Sequence, residues 1–482
     1  MAGTKPSLVL SIDAGTSGVR AALFDECGNQ VFAAQKHRTE VADFAEFDAD
    51  ALVEEVTKTV DELLAQNTEQ IELMAISAFW HSLIGIDSAG RATTPVLTWA
   101  DTRAAKIAND FRSRFDEHEL HSRTGCRFHP SYWPAKLEWL KHEHPEKYRN
   151  THRWLGFAEY LCLRLFGEPA TSVSMASATG LFNQRECGWD WDFVEALGIA
   201  PDTLPEIKTR FDSQLSRVFA ARWPALAQAR LITVVGDGAA SNIGAGCSTK
   251  DKIGLMVGTS GATRVVFAGE PPQELSPALW SYRVSRDRVV VGGALSDGGG
   301  LFEWLTESLN VNDDLDREVA VLEPDSHGLT ILPFWSGERS TGWLADARGG
   351  IFGLRQQTKP VEIIRAALES VAYRFALIAR ALDLIAPDAT IFASGNALRS
   401  SPVWSQIIAD VLGRPLLFGG SAESSMRGAA LLALEAVGKI GTIEQDSISI
   451  ERVFEPDMSR HARYQQGLER QIELYERLYR TI

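Results

Sequence analysis

Cysteine is scarce in this sequence, with five residues in 482, and no two of them have the spacing of a Cys-x-x-Cys motif. An odd number of scattered cysteines disfavours a disulfide framework, and the missing motif disfavours a cysteine zinc site. No window of about 18 residues is free of charges and helix breakers, so we expect no membrane partner. The first residues lack a basic head followed by a long apolar stretch, which predicts a cytoplasmic location.

Basic residues are also in deficit, because 48 Lys and Arg face 63 Asp and Glu, giving a net charge of −15 at pH 7. Such a field repels polyanions, so we expect no nucleic-acid partner. The hydrophobic share of 45% and the charged share of 23% are typical of a folded globular protein. A chain of 482 residues exceeds the size of a single core, which predicts at least two domains.

Two common nucleotide-binding signatures are absent: there is no Gly-x-x-x-x-Gly-Lys-Ser/Thr loop, and there is no protein-kinase catalytic loop. The chain has an internal repeat instead, since residues 15–20 read Gly-Thr-Ser-Gly-Val-Arg and residues 258–264 read Gly-Thr-Ser-Gly-Ala-Thr-Arg. Apolar runs flank each copy, which predicts two hairpins. A lone glycine turn is usually only a turn. Two copies half a chain apart predict two similar α/β domains whose turns hold the same anion.

Longer patterns support α/β domains. Apolar residues from Ile364 to Leu382 recur at helical spacing and predict one long helix, which leads into a strand at 390–393. Apolar and aromatic residues from Tyr464 to Tyr479 predict a docked C-terminal helix. The small-residue stretch 236–246 is the predicted hinge, so we expect domains at residues 1–243 and 244–482.

Two aspartates stand beside glycine turns, Asp13 before the first turn and Asp237 between two glycines. A carboxylate at such a position can hold Mg²⁺ while the turn N–H groups hold phosphate oxygens. Asp13 is equally compatible with the simpler role of capping its own turn, and an aspartate flanked by glycines, as Asp237 is, is more often a turn residue.

Four segments together, residues 13–20, 236–244, 257–260 and 395–404, resemble the motifs of the FGGY carbohydrate kinases. The resemblance implies an α/β fold of two ribonuclease-H-like domains, as in actin, hexokinase and the heat-shock ATPases, with an interdomain cleft. It implies ATP and Mg²⁺ as cofactors and a small-molecule sugar or sugar acid as substrate, and it allows a homodimer. One departure is that this chain has Ser-Gly-Asn-Ala at 394–397, where the family usually shows a run of glycines.

The resemblance also implies roles for single residues. Asp237 matches the catalytic base, which takes the proton from the attacking sugar hydroxyl, and Asp13 and Asp237 match the carboxylates associated with magnesium. The residues assigned to the phosphates and the nucleotide are Thr16, Ser17, Arg20, Gly258, Thr259, Ser260, Gly395 and Asn396.

Segments 79–87, 95–103 and 337–349 resemble the sugar-contacting segments of gluconate kinases, and xylulose kinases share a His and an Asp with the first two. The predicted substrate contacts are Trp80, His81, Asp101, Arg103, Asp237 and Arg339. A substrate carboxylate needs a local cation in so acidic a protein, and Arg103 and Arg339 are the candidates. Each is equally compatible with an ion-paired role. Six histidines from 118 to 152 are predicted to lie on a polar helical surface.

The predicted function is ATP-dependent phosphorylation of D-gluconate to 6-phosphogluconate. The first alternative is the phosphorylation of D-xylulose or of another pentulose or polyol. A non-enzymatic alternative is an actin-like sensor that binds sugar or nucleotide and signals by closing. The presence of both Asp13 and Asp237 favours an enzyme, since a sensor needs no base.

Overall fold

The computed structural model describes residues 8–37, 45–67, 69–311, 314–419, 423–446 and 449–479, and two larger sheets organise this part of the chain. The first sheet has, in spatial order within these residues, the strands Ser213–Gln214, Arg230–Gly236, Ile71–Ala78, Leu8–Gly15, Gly18–Phe24 and Gln30–His37. The second sheet has, in the same described ranges, the strands Trp280–Ser285, Arg288–Leu295, Gly261–Ala268, Lys252–Val257, Thr390–Ser394, Leu416–Gly419 and Ile450–Phe454.

The two sheets share one design. In each, an antiparallel hairpin is extended on one side by a further antiparallel strand and on the other by parallel strands. The first hairpin closes at the pair Gly15 and Gly18, and the second closes at the pair Val257 and Gly261. The glycine repeat therefore lies at equivalent places in both sheets, and the predicted pair of hairpins is confirmed.

The predicted long helix is present as Pro360–Leu382 and precedes the strand Thr390–Ser394. The C-terminal helix Met458–Tyr479 buries Tyr464, Leu468 and Tyr475, which confirms that it is docked. The other helices are Ala49–Ala65, Ala105–Arg114, Glu117–Thr124, Trp133–Glu143, Pro145–Asn150, Phe157–Phe166, Val173–Ser177, Trp191–Ala196, Arg217–Arg222, Asp237–Gly244, Gly299–Ser308, Leu315–Ala320, Asn396–Ser400, Pro402–Leu412 and Ser424–Ala436. In the part of the chain that the structure describes, no helix is both long enough and apolar enough to span a bilayer.

Short two-stranded sheets pair Phe182–Asn183 with Gly188–Trp189, Thr171–Ser172 with Ile207–Lys208, Thr330–Leu332 with Gly350–Phe352, Glu46–Phe47 with Val96–Leu97, and Ile84–Ile86 with Arg153–Leu155. Apolar side chains between residues 83 and 207 form a core cluster of their own. This region docks on the second sheet, since the hydroxyls of Tyr132 and Tyr282 lie 2.7 Å apart. The docking brings the predicted substrate segments of the first half against the second half.

The small-residue stretch 236–246 forms the helix Asp237–Gly244, which the helix Ser424–Ala436 crosses in backbone contact. A Cβ atom on Gly244 would lie 1.8 Å from the carbonyl oxygen of Ser424, and one on Gly428 would lie 1.9 Å from that of Ala240. Small residues are therefore required at the crossing. The later helix also packs on the first sheet, so the two halves are joined by crossed helices, and the boundary at 243 and 244 stays a prediction.

Candidate active site

The predicted base, Asp237, begins a helix directly after the strand Arg230–Gly236. A Cβ atom on Gly236 would lie 1.8 Å from the Trp80 indole. One on Gly238 would lie 2.7 Å from the same indole and 3.0 Å from Nε of Arg264. Glycine flanks the aspartate because an indole and a guanidinium pack against the backbone on both sides of it.

Burial and neighbouring charges set the protonation of this aspartate. Burial raises the pKa of Asp237 to about 6, the carboxylate of Asp13 raises it as well, and the guanidinium of Arg264 opposes the rise. Oδ1 of Asp237 accepts a hydrogen bond of 2.7 Å from the Gly238 N–H. At neutral pH the carboxylate is ionised and can accept a proton.

Asp13 is buried at the end of the strand Leu8–Gly15. Its Oδ2 accepts a hydrogen bond of 2.5 Å from Arg20, and its Oδ1 accepts one of 2.8 Å from Ser77 Oγ. Asp13 pairs with Ser77 on the neighbouring strand, and Ser77 pairs with Val235, two residues before Asp237. The two aspartates therefore lie at the same end of the sheet, and the charge of Asp13 raises the pKa of Asp237. Mg²⁺ in kinases is held by one or two carboxylates together with substrate phosphates, so the two aspartates are of the donor type required. Metal binding at Asp13 would replace its ion pair with Arg20.

The two phosphate turns expose backbone to the cleft. In the first turn Thr16 is half-buried and Ser17 is exposed. In the second turn Gly258 N–H donates to the Ser260 carbonyl at 2.9 Å. Within the described residues the N–H groups of Thr259 and Ser260 donate no hydrogen bond, so both are available for phosphate oxygens.

A third glycine segment, residues 298–300, lies against the second turn. Gly298 and Gly300 each donate a backbone hydrogen bond to the Thr259 carbonyl, and Gly299 donates one of 2.7 Å to the Gly258 carbonyl. A Cβ atom on Gly299 would lie 2.7 Å from that same oxygen. Sequence reasoning missed this segment, although three consecutive glycines after an aspartate were a visible signal.

The predicted nucleotide segment at 395–396 also packs against the second phosphate turn. Gly395 has φ of 97°, and a Cβ atom there would lie 2.1 Å from the Val257 carbonyl oxygen. Asn396 is exposed at the start of the helix Asn396–Ser400. A Cβ atom on Gly299 would lie 3.0 Å from the Cβ atom of Ala397. The structure thus brings together three glycine segments that are far apart in the sequence.

On the substrate side, Trp80 and His81 follow the strand Ile71–Ala78. Trp80 Nε1 donates to the Ser174 carbonyl at 3.2 Å. His81 Nδ1 donates to the Ala178 carbonyl at 2.7 Å, which leaves Nε2 as an acceptor with no hydrogen bond among the described residues. Burial, aided by the charge of Arg339, holds the pKa of His81 well below its ordinary value, so the ring is neutral.

Lys136 is a buried residue that sequence reasoning gave no role. Its Nζ donates to the backbone carbonyls of His81 at 2.6 Å and Ser131 at 2.8 Å. Burial lowers the pKa of Lys136 to about 7. The side chain ties His81, in the first substrate segment, to Ser131, and only the approach of these residues in the fold shows it.

Arg103, one of the two residues predicted to bind a substrate carboxylate, is already paired with carboxylates of the protein. Its Nε and terminal nitrogen donate to both oxygens of the buried Asp101 at 2.9 Å, and the terminal nitrogen also binds Glu46 at 2.7 Å. Its guanidinium stacks on the Trp139 ring at 4.7 Å. The structure therefore places Arg103 and Asp101 in one ion-paired unit, and it does not leave Arg103 free to bind a substrate carboxylate.

Arg339, the other candidate, has no such partner. Its guanidinium lies 5.5 Å from the centre of the Trp99 ring, and no carboxylate in the described ranges lies within salt-bridge distance of it. The neighbouring Glu338 pairs instead with the buried Arg374 and accepts a hydrogen bond of 2.7 Å from Tyr475. Arg339 is thus a cation without a counter-ion beside the predicted sugar-contacting segments.

The prediction of a polar surface for the six histidines is wrong for two of them. His121 and His129 are buried. His121 Nε2 bonds the Leu279 carbonyl at 2.9 Å, and His129 Nδ1 accepts a hydrogen bond of 3.2 Å from the Ser131 N–H. The helix Glu117–Thr124 docks on the second half of the chain, and local spacing contains no trace of that contact.

One acidic cluster elsewhere has the composition of a metal site, namely Asp325, His327 and Glu369. Asp325 forms a salt bridge with Arg470, and Glu369 binds Arg365 at 2.6 Å and His327 at 3.0 Å. The arginines already neutralise both carboxylates, so the cluster is a structural ion network.

Comparison with known proteins bears on the whole chain. Residues 8–244 match the N-terminal domain of the FGGY family of carbohydrate kinases, and residues 255–437 match its C-terminal domain. The chain is 30% identical over 462 residues to a gluconokinase of Bacillus subtilis (strain 168), covering 91% of this chain and 89% of that protein. Solved structures of a gluconate kinase and of a ligand-bound xylulose kinase, both from Lactobacillus acidophilus, match with TM-scores of 0.89 and 0.88. Each is 27% identical, and each match covers 98% of both chains.

These matches span both glycine hairpins and the helix that carries Asp237, so they include the elements that form the cleft. The predicted family, fold and enzyme class are confirmed, and the non-enzymatic alternative falls. The chain belongs to the FGGY family of carbohydrate kinases, two-domain enzymes with the fold of actin and hexokinase that transfer a phosphoryl group from ATP to a sugar.

Proposed function

We propose that this kinase phosphorylates D-gluconate at its 6-hydroxyl, producing 6-phosphogluconate and ADP. The observation that carries the proposal is Arg339, a half-buried cation with no carboxylate partner in the described residues, placed against Trp99 and acting on the charge state of His81. The 30% identity to a gluconokinase supports the same substrate.

An unpaired guanidinium favours an acid over a neutral sugar. A charge-assisted hydrogen bond contributes about 1.5–3 kcal/mol, whereas a neutral sugar would leave this cation without a counter-ion. The net charge of −15 makes a local cation necessary for any anionic substrate.

In the proposed reaction the 6-hydroxyl oxygen attacks the γ-phosphorus, its proton passes to a carboxylate oxygen of Asp237, and the bond from the γ-phosphorus to the bridging oxygen breaks as ADP leaves. Thr16, Ser17 and Arg20 on one turn, and Gly258, Thr259 and Ser260 on the other, hold the phosphates. Gly395 and Asn396 line the nucleotide pocket. His81 Nε2 accepts a hydrogen bond from a sugar hydroxyl, and Trp80 forms an apolar wall.

Asp13 and Asp237 are the residues proposed to hold Mg²⁺. When bound, the ion neutralises charge on the transferring phosphate. Asp101 shapes the substrate wall by fixing Arg103. A homodimer stays a prediction, which light scattering on the purified protein tests.

The experiment is a coupled ADP assay of the purified enzyme with D-gluconate, D-xylulose, D-ribulose, L-fuculose, L-rhamnulose, glycerol and erythritol. We expect D-gluconate to give the highest kcat/KM. The xylulose kinase with a TM-score of 0.88 makes D-xylulose the main competitor. A higher kcat/KM for a neutral ketose would overturn the gluconate assignment and leave the kinase class intact.

A further inference from the structure

Arg264 lies on the strand Gly261–Ala268 and is the paired neighbour of Gly292 on the next strand. A Cβ atom on Gly292 would lie 2.9 Å from Cγ of Arg264, so the glycine leaves room for the arginine side chain. The guanidinium reaches the backbone beside the base, where its Nε and Cζ lie 3.0 and 3.1 Å from the Cβ position of Gly238. Arg264 therefore brings a charge from the second sheet to the base on the first.

Among the described residues, the Arg264 guanidinium has no counter-ion within salt-bridge distance. Nε of Arg264 is shielded from solvent and has no acceptor, and the same is true of Nε of Arg339. No carboxylate in the described parts of the chain lies within salt-bridge distance of either guanidinium. Burial lowers the pKa of Arg264 to about 10, Asp237 opposes the shift, and the like charge of Arg339 adds to it.

The two arginines lie on neighbouring segments, because the Ser340 N–H donates to the Ala294 carbonyl and Ala294 pairs with Ala262, two residues before Arg264. A guanidinium nitrogen buried without an acceptor is costly unless an anion reaches it. Arg264 lies on the strand that follows the second phosphate turn, four residues after Ser260. The groups that act on Arg264 are Asp237, Arg339 and Tyr282, and the Trp80 indole packs beside it on Gly238. These belong to the base and to the substrate wall.

We propose that Arg264 is a specificity-determining residue that binds the acid group of the substrate together with Arg339. The proposal rests on the proposed function, since it requires a sugar acid as substrate. Two planar guanidinium groups can each donate parallel hydrogen bonds to one carboxylate, which a lysine cannot reproduce.

Two other roles for Arg264 would give different kinetic results. If Arg264 acted only on the charge of Asp237, its loss would impair every substrate alike, because all of them need the base. If it held the phosphates of ATP, its loss would raise the KM for ATP.

The test uses the full-length enzyme as wild type, Arg264→Gln and Arg264→Lys, with Arg286→Gln as the control. Arg286 is an exposed arginine near the same sheet, so its variant removes the same charge away from the cleft. The measured values are the KM for D-gluconate, the KM for ATP, and kcat/KM or the inhibition constant for D-glucitol, in which a CH₂OH group replaces the carboxylate.

We expect Arg264→Gln to raise the KM for D-gluconate about 10–100-fold, with the KM for ATP and the D-glucitol value within about threefold of wild type. We expect Arg264→Lys, which keeps the charge and loses the planar fork, to raise the KM for D-gluconate about tenfold, so the proposal stays testable if the glutamine variant fails to fold.

The role of Arg264 would be overturned if its variants lost activity equally on D-gluconate and D-glucitol, or if the KM for ATP rose as much as the KM for D-gluconate. The proposed function would still stand in that case, provided that the wild-type enzyme prefers D-gluconate. An unchanged KM for D-gluconate in both variants would overturn it too. A wild-type preference for D-xylulose is the separate result that overturns the proposed function, and the role of Arg264 falls with it.

Discussion

The two sides of the cleft are built from different parts of the chain. The nucleotide side consists of backbone, where Gly299 and Gly395 allow their segments to approach within contact of the second turn. The substrate side consists of side chains, among them His81 and Arg339, whose charge and hydrogen bonding depend on distant neighbours. Backbone N–H groups are the same in every residue, so a short motif specifies the first side. The second side is specified by which polar groups remain without a partner.

Asp237 stands between the two sides, and its change to Asn should give the largest effect. The amide keeps the shape of the side chain but cannot accept the hydroxyl proton, so we expect kcat to fall about 10²–10⁴-fold. The KM for D-gluconate should stay within about threefold of wild type, because the substrate side is intact. Steady-state kinetics measure this. A kcat within about tenfold of wild type would show that the base is another group.

Substitution on the substrate side should change the affinity for one substrate alone. We expect Arg339→Ala to raise the KM for D-gluconate about 10–100-fold and to leave the KM for ATP unchanged. Arg103→Ala is the matched control, with a change below about threefold, because the Arg103 guanidinium is already bound to Asp101 and Glu46. A larger effect at Arg103 than at Arg339 would reverse the assignment.

The loss of activity at low pH should come from protonation of the base. The pKa of Asp237 is raised to about 6, so the carboxylate is ionised above that pH and becomes protonated below it. We therefore expect kcat/KM for D-gluconate to be level above pH 7 and to fall about tenfold per unit below pH 6. Rates between pH 5 and 8 test this. A flat profile across that range would contradict the assignment of Asp237.

On the nucleotide side, even one added methyl group should weaken the binding of ATP. A Cβ atom on Gly299 would lie 2.7 Å from the Gly258 carbonyl oxygen, so Gly299→Ala must shift the second turn. We expect the KM for ATP to rise about tenfold, from strain of ~1–2 kcal/mol, with the KM for D-gluconate unchanged. Gly188→Ala is the control, because a Cβ atom there meets nothing within 4 Å. A rise in the KM for D-gluconate alone would contradict the division into two sides.

The same division explains what the sequence could predict. The paired hairpins and the glycine of 395 were predictable because a turn is a property of a few adjacent residues. The ion pairing of Arg103 was not predictable, since one of its partners, Glu46, lies 57 residues away in the sequence. Arg264 was missed for the same reason, because only the packed structure shows that its guanidinium has no counter-ion.

The helix Ser424–Ala436, which crosses the helix Asp237–Gly244, is synthesised long after the sheet that it covers. The later helix contributes Met426, Leu431 and Leu434 to the core of the first sheet. The last parallel strand of that sheet ends at Gly236, about 200 residues before the helix is complete. At ~5–20 residues per second, translation takes on the order of 10–40 s to supply it. Until then the nascent first sheet keeps that apolar surface uncovered.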